Sequence, residues 1–152
     1  MWIDALLTYF HFVSIFLLFA FLSVEAVLLR RPVNADTARL LGRADLFYGI
    51  AALLVLVSGP LRMLFGAKGM AFYTGNPLFW IKLLLFAIVG TLSLLPTLCF
   101  LRWARAARND AAFAADEAER RRMRLFVMWE IHLSALIPLL AVLMARGFGM
   151  DG

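Results

Sequence analysis

Seven ionisable side chains lie within or beside long apolar runs: His11, Glu25, Asp45, Arg62, Lys82, Glu130 and His132. Inside a bilayer such a group costs about 2.5–3.5 kcal/mol on insertion scales, so each is a functional candidate. Their chemistry is of two kinds. His11 and Lys82 are nitrogen donors, and an imidazole facing a deprotonated amine across an apolar bundle can hold a haem iron axially. Arg62 and His132 are two further groups able to hold such a cofactor. Glu25, Asp45 and Glu130 are carboxyls, suited to moving protons or to positioning a porphyrin's propionates.

The elements that must carry these residues follow from composition. The 152-residue chain is 64% hydrophobic and 16% charged. A soluble domain is nearer half apolar and a quarter charged. The apolar residues cluster into four runs of about 20, the helix length that spans a bilayer core. Span one runs from about Ala5 to Leu29, span two from Leu46 to Phe65, span three from Leu78 to Leu101, and span four from Leu125 to Ala145. The expected fold is all-α: one transmembrane domain, a four-helix bundle over residues 1–152.

Orientation follows from the loops. Arg30, Arg31, Arg39 and Arg43 lie between spans one and two; Arg102, Arg105, Arg108, Arg120, Arg121, Arg122 and Arg124 lie between spans three and four. The other side carries Arg62, Lys68 and Arg146, with Lys82 just inside a span. The positive-inside rule puts both Arg-rich loops in the cytoplasm and both termini outside. The same topology accounts for the net charge of +5 without a nucleic-acid partner. Asp116 to Glu119 followed by Arg120 to Arg122 predicts helical extensions into the second loop, joined by pairs three or four apart.

Helical spacing decides which side chains can meet. His11, Ser14, Leu18 and Glu25 share one face of span one. Lys82, Phe86, Val89, Ser93 and Pro96 share a face of span three. Asp45, Gly49, Ala52 and Gly59 form a small-residue seam on span two, suited to close backbone approach. His11 and Lys82 fall at similar depth in the outer half; Glu25, Asp45, Glu130 and His132 fall in the inner half. Glu130 and His132 are two residues apart, about 200° around the helix, so both cannot face the centre. One of them looks sideways, toward a contact that a second protomer would supply in a homodimer.

Several chemistries are excluded. There is no Cys-x-x-Cys-His for covalent haem attachment, and the single Cys99 has no internal partner. There is no P-loop, Rossmann glycine pattern or His-Glu-x-x-His zinc spacing. Met1-Trp2-Ile3-Asp4 lacks the basic region of a cleaved signal peptide, so the first span is expected to stay in the protein.

The segments Tyr9-Phe10-His11-Phe12, Arg43-Ala44-Asp45-Leu46-Phe47-Tyr48-Gly49 and Asn76-Pro77-Leu78-Phe79-Trp80-Ile81-Lys82 resemble a family of bacterial four-helix predicted membrane proteins known only as a domain of unknown function. More distantly, the chain resembles the HemJ-type protoporphyrinogen oxidases. That resemblance implies haem b, with His11 matching the family's early histidine. Lys82, in Trp80-Ile81-Lys82-Leu83-Leu84-Leu85, matches its "Trp…Lys-Leu-Leu-Leu" lysine. Glu130, after Trp129, falls where that family has Asn-Glu. The chain departs from the family after its first histidine, reading Leu17-Leu18-Phe19-Ala20-Phe21 where the family has Trp-x-x-Gly-Leu-Phe-Tyr-Leu-Pro-Arg. His132 has no counterpart.

The leading expectation is a haem b-binding protein of the bacterial inner membrane, with an electron-transfer or porphyrin-oxidising role and a quinone or other electron-transfer partner. Two alternatives come from other classes. A small four-helix transporter would use a membrane-embedded glutamate such as Glu25. A non-catalytic assembly protein would use its buried polar groups only to set helix register.

Overall fold

The computed structural model describes residues 2–66 and 69–149; Lys68, counted above on the outer side, lies outside them. Five helices follow in order: α1 (Trp2–Leu28), α2 (Ala35–Phe65), α3 (Gly69–Thr74), α4 (Pro77–Asn109) and α5 (Glu117–Ala145). No strand occurs among the described residues. Four of the helices, all but α3, are long and apolar enough to cross a membrane. They alternate in direction, so the start of α1 and the end of α5 lie at one end of the bundle.

The helix starts are written locally. The Asn34 side chain caps α2 by accepting from the Thr37 N–H, and Asp116 caps α5 by accepting from Glu119. Asn76 accepts from Leu78 ahead of Pro77, whose missing N–H costs nothing in a first turn. Pro60, Pro96 and Pro138 sit inside α2, α4 and α5, as helices in a bilayer tolerate.

At 27, 31, 33 and 29 residues, the four long helices reach about 40–50 Å. A bilayer core is about 30 Å thick, so they protrude. The extra length is at the Arg-rich end, where α2 starts eleven residues ahead of Leu46, α4 runs on to Asn109 and α5 begins at Glu117. There the Ala115 N–H donates to the Val33 carbonyl at 2.9 Å, and Arg39 donates to the Ala107 carbonyl at 2.6 Å. The Trp103 indole donates to Glu119 at 3.0 Å. The most completely buried apolar side chains gather toward this end: Leu29, Leu41, Phe100 and Val127. Outward faces are apolar, with Phe16, Leu53, Leu84 and Leu98 exposed as lipid contact requires.

Around the bundle, α1 packs on α2, α2 on α4, and α4 on α5, while the α1–α5 contact that closes the ring is the thinnest of the four. The diagonal pairs, α1 with α4 and α2 with α5, make no close backbone approach.

Of the small-residue seam expected on α2, Asp45 and Ala52 turn toward the core but Gly49 does not. A Cβ at Gly49 would meet nothing within 4 Å, whereas one at Gly42 would lie 2.9 Å from the Ala104 Cβ. Close approach of α2 and α4 thus occurs at Gly42, on the helical extension that apolar runs do not mark.

Candidate functional site

The polar interior resolves into two clusters. The outer one starts from His11, half-buried on α1. Its Nδ1 lies 2.8 Å from the Ser58 hydroxyl on α2, and that hydroxyl in turn donates to the Leu54 carbonyl at 2.6 Å. Since Ser58 spends its proton on the backbone, it accepts from an Nδ1–H, which makes Nε2 the lone-pair nitrogen of the ring. Gly59 lies beside the imidazole: a Cβ there would make ordinary van der Waals contact with His11 Cε1 at 3.8 Å. Arg62, one turn further along α2, lays its guanidinium over the Phe12 ring at 5.8 Å, and its Nε is buried without an acceptor. Lys82 on α4 places its ammonium 5.3 Å from the Phe79 ring centre. Arg62 and Lys82 are both within electrostatic reach of His11. Three helices therefore bring His11, Arg62 and Lys82 together, with α1 and α4 diagonal.

The inner cluster draws on all four long helices. Glu25 from α1, Asp45 from α2 and Glu130 from α5 are 1%, 6% and 1% exposed. Glu25 is within electrostatic reach of both other carboxyls. Tyr48 Oη donates to Glu130 Oε2 at 3.2 Å, and Thr97 Oγ1, from α4, donates to Asp45 Oδ1 at 2.7 Å. Glu25 Oε1 and Glu130 Oε1 are buried with no donor. None of the three pairs with a loop arginine; the Arg-rich end spends its ion pairs elsewhere, on Asp36, Glu117 and Glu119. Asp45, at the margin of its apolar run, is carried inward because α2 begins at Ala35.

Periodicity leaves Glu130 and His132 competing for the interior; the structure turns Glu130 in. His132 is exposed on the outer face of α5, with Nδ1 2.6 Å from the Met128 carbonyl of its own helix, and joins neither cluster. Sequence reasoning missed Tyr48, Ser58 and Thr97. The available signals were spacings: Tyr48 follows Asp45 by three, and Ser58 precedes Arg62 by four, each pair sharing a face.

A bundle of lipid-facing helices around two buried polar clusters defines a multi-pass membrane protein. The family model described as "Predicted membrane protein (DUF2214)" matches residues 3–149, and the chain belongs to that family. No curated protein and no solved structure matches it.

Proposed function

We propose that this is a haem b-binding redox protein of the bacterial inner membrane, with His11 as an iron ligand and Lys82 as the second nitrogen from the diagonal helix. The observation that carries the reading is the His11–Ser58 pair beside Arg62. Metal-ligating histidines characteristically have their other ring nitrogen fixed by a hydrogen bond, and Ser58 provides that at Nδ1. The buried, acceptorless Nε of Arg62 fits an anionic group such as a propionate. The residues present thus fit the group. Bound haem would supply one-electron chemistry, and a quinone is the electron partner a bilayer offers.

This chain's own residues orient and exclude. Ser58 holds the imidazole plane, Arg62 offers its fixed positive charge to an anion, and Phe12 and Phe79 border the site with apolar rings. The distant likeness to HemJ-type oxidases extends the proposal to porphyrin oxidation. His132, on the outer face of α5, would meet a second protomer in a homodimer.

The test is a dithionite-reduced minus oxidised absorption spectrum of the detergent-purified protein. A Soret band with sharp α and β bands, lost in His11→Ala, is the expected result. A featureless spectrum from cells supplied with haem precursor would overturn the proposal.

A further inference from the structure

The carboxyl cluster stands apart from the His11 site. Glu25 is fourteen residues beyond His11 on α1, about 21 Å along the helix. Its side chains pose a separate problem of charge. Three carboxylates in a dry bundle interior cannot all remain ionised without a countercharge. Among the described residues no lysine or arginine makes an ion pair with any of them. Tyr48 and Thr97 each donate one hydrogen bond, which leaves Glu25 Oε1 and Glu130 Oε1 with nothing. A buried oxygen without a partner is costly, so two at one site point to a missing ligand.

The packing selects that ligand. Glu25 and Glu130 are each 1% exposed, so no water-sized space borders the orphan oxygens. An organic cation or a hydrated ion has no room. Among the described residues, no group of three His, Cys, Asp or Glu stands at distances able to hold a metal ion. The one cation that needs neither space nor a coordination shell is the proton.

We infer that Glu25 and Glu130, with Asp45 beside them, form a buried proton-binding site. Loading transfers a proton from hydronium to a glutamate Oε1, giving a carboxylic acid and water; unloading is the reverse, and no redox partner is needed. Glu25 and Glu130 stand on α1 and α5, which flank the thinnest contact in the ring. Parting of that seam is the movement that admits water to both. The groups facing the pair are Asp45 and Tyr48 from α2, with Thr97 of α4 donating to Asp45 and Ser93 of α4 adjoining the Tyr48 hydroxyl.

The experiment is infrared difference spectroscopy of the full chain in lipid nanodiscs, titrated with acid and base and, separately, with NaCl and KCl at fixed pH. A carbonyl band of a protonated carboxyl is expected at neutral pH, shifting in D2O and giving way to carboxylate as the pH is raised. Glu25→Gln and Glu130→Gln should each lower its area. Tyr48→Phe should keep the area and move the frequency, because only a hydrogen bond is lost. Should the glutamine variants fail to fold, carbodiimide labelling of the unaltered protein, mapped by mass spectrometry, should place adducts on Glu25 or Glu130. The inference is overturned by absence of the band at neutral pH, by a band indifferent to pH, by labelling confined to other carboxyls, or by conversion to carboxylate on adding Na⁺ or K⁺. That last outcome would make the site one for a metal cation. Haem content enters none of these readouts, so the site can fail or stand independently of the haem proposal.

Discussion

Gly42 fixes the distance between α2 and α4, and a double-mutant cycle can measure that constraint. A Cβ at Gly42 would lie 2.9 Å from the Ala104 Cβ, closer than two methyl groups sit in proteins, and neither belongs to a flexible side chain. The helices must therefore separate in Gly42→Ala. Overpacking of this kind costs about 1–3 kcal/mol. Replacing Gly by Ala within a helix returns about 1 kcal/mol of propensity, so the expected net loss for the single variant is only about 1 kcal/mol. Ala104→Gly should also cost about 1 kcal/mol, by propensity alone. In the double variant the clash is gone and the propensity changes cancel, which leaves it near the parent and implies a coupling of about 2 kcal/mol. Reversible unfolding in mixed micelles, followed by far-ultraviolet circular dichroism, reads all four corners. Additivity within about 0.5 kcal/mol would show that α2 and α4 do not meet at this point. Asp45, less than one turn from Gly42, and Thr97, about two turns from Ala104, bridge the same two helices, so Gly42→Ala should also weaken their 2.7 Å bond.

Two further substitutions test the outer site. Ser58→Ala removes the acceptor at His11 Nδ1 and should weaken haem retention about 10- to 100-fold in a Soret titration, the usual effect of losing an outer partner. Unchanged affinity would mean that Ser58 does not orient the ring. His132→Leu should leave the reduced spectrum intact, because His132 faces away from both clusters. It should shift the particle toward monomer in analytical ultracentrifugation, and a spectrum lost in this variant would place His132 at the cofactor instead.

The four membrane-crossing helices were legible because apolar runs and Arg-rich loops are each long enough to exceed chance. The inward face of α1 was legible too, since Ser14, Leu18 and Glu25 follow helical spacing and are all buried. Asp45 was legible as a carboxyl of the inner half, but its place well inside a helix was not, because the drop in hydropathy at Arg39 and Arg43 ends an apolar run but not a helix; the start of α2 is set by the Asn34 cap. Glu130 and His132 could not be ranked by periodicity, because only a partner across the bundle breaks the tie, and that partner is Tyr48. Thr97, and Ser58 apart from its spacing to Arg62, were hard to single out for a different reason: a hydroxyl in a membrane helix usually bonds its own backbone and carries no mark of reaching a neighbour. The seam of small residues on α2 does not make a close approach at Gly49, because a run of small residues records permission for close approach, not its occurrence.

The two clusters also differ in how they are enclosed, and this bears on how protons could reach the inner one. Toward the outer cluster, Leu18 and Leu22 of α1, Ala51 of α2 and Val89 of α4 are buried; toward the Arg-rich end, Leu29, Leu41, Phe100 and Val127 are. The carboxyls thus have buried apolar side chains on both axial sides, which leaves lateral parting of α1 from α5 as the expected route of exchange. Arg120 holds that seam. It is 7% exposed, donates through Nη1 to the Leu29 carbonyl at the end of α1, and is itself held by Glu117 through Nε at 2.7 Å. Arg120→Met keeps much of the side chain's apolar length but removes the bond to α1, at a cost of about 1–3 kcal/mol. Arg121, which is 73% exposed and among the described residues pairs with Glu117, supplies the control; Arg121→Met should cost under about 1 kcal/mol. If parting of the seam limits access, Arg120→Met should speed deuterium exchange of the buried carboxyl band by about 5- to 150-fold, the factor equivalent to 1–3 kcal/mol. Arg121→Met should leave the rate alone. Equal rates in parent and Arg120→Met would mean that protons enter by another route, and the α1–α5 seam would then be a consequence of packing with no part in loading the site.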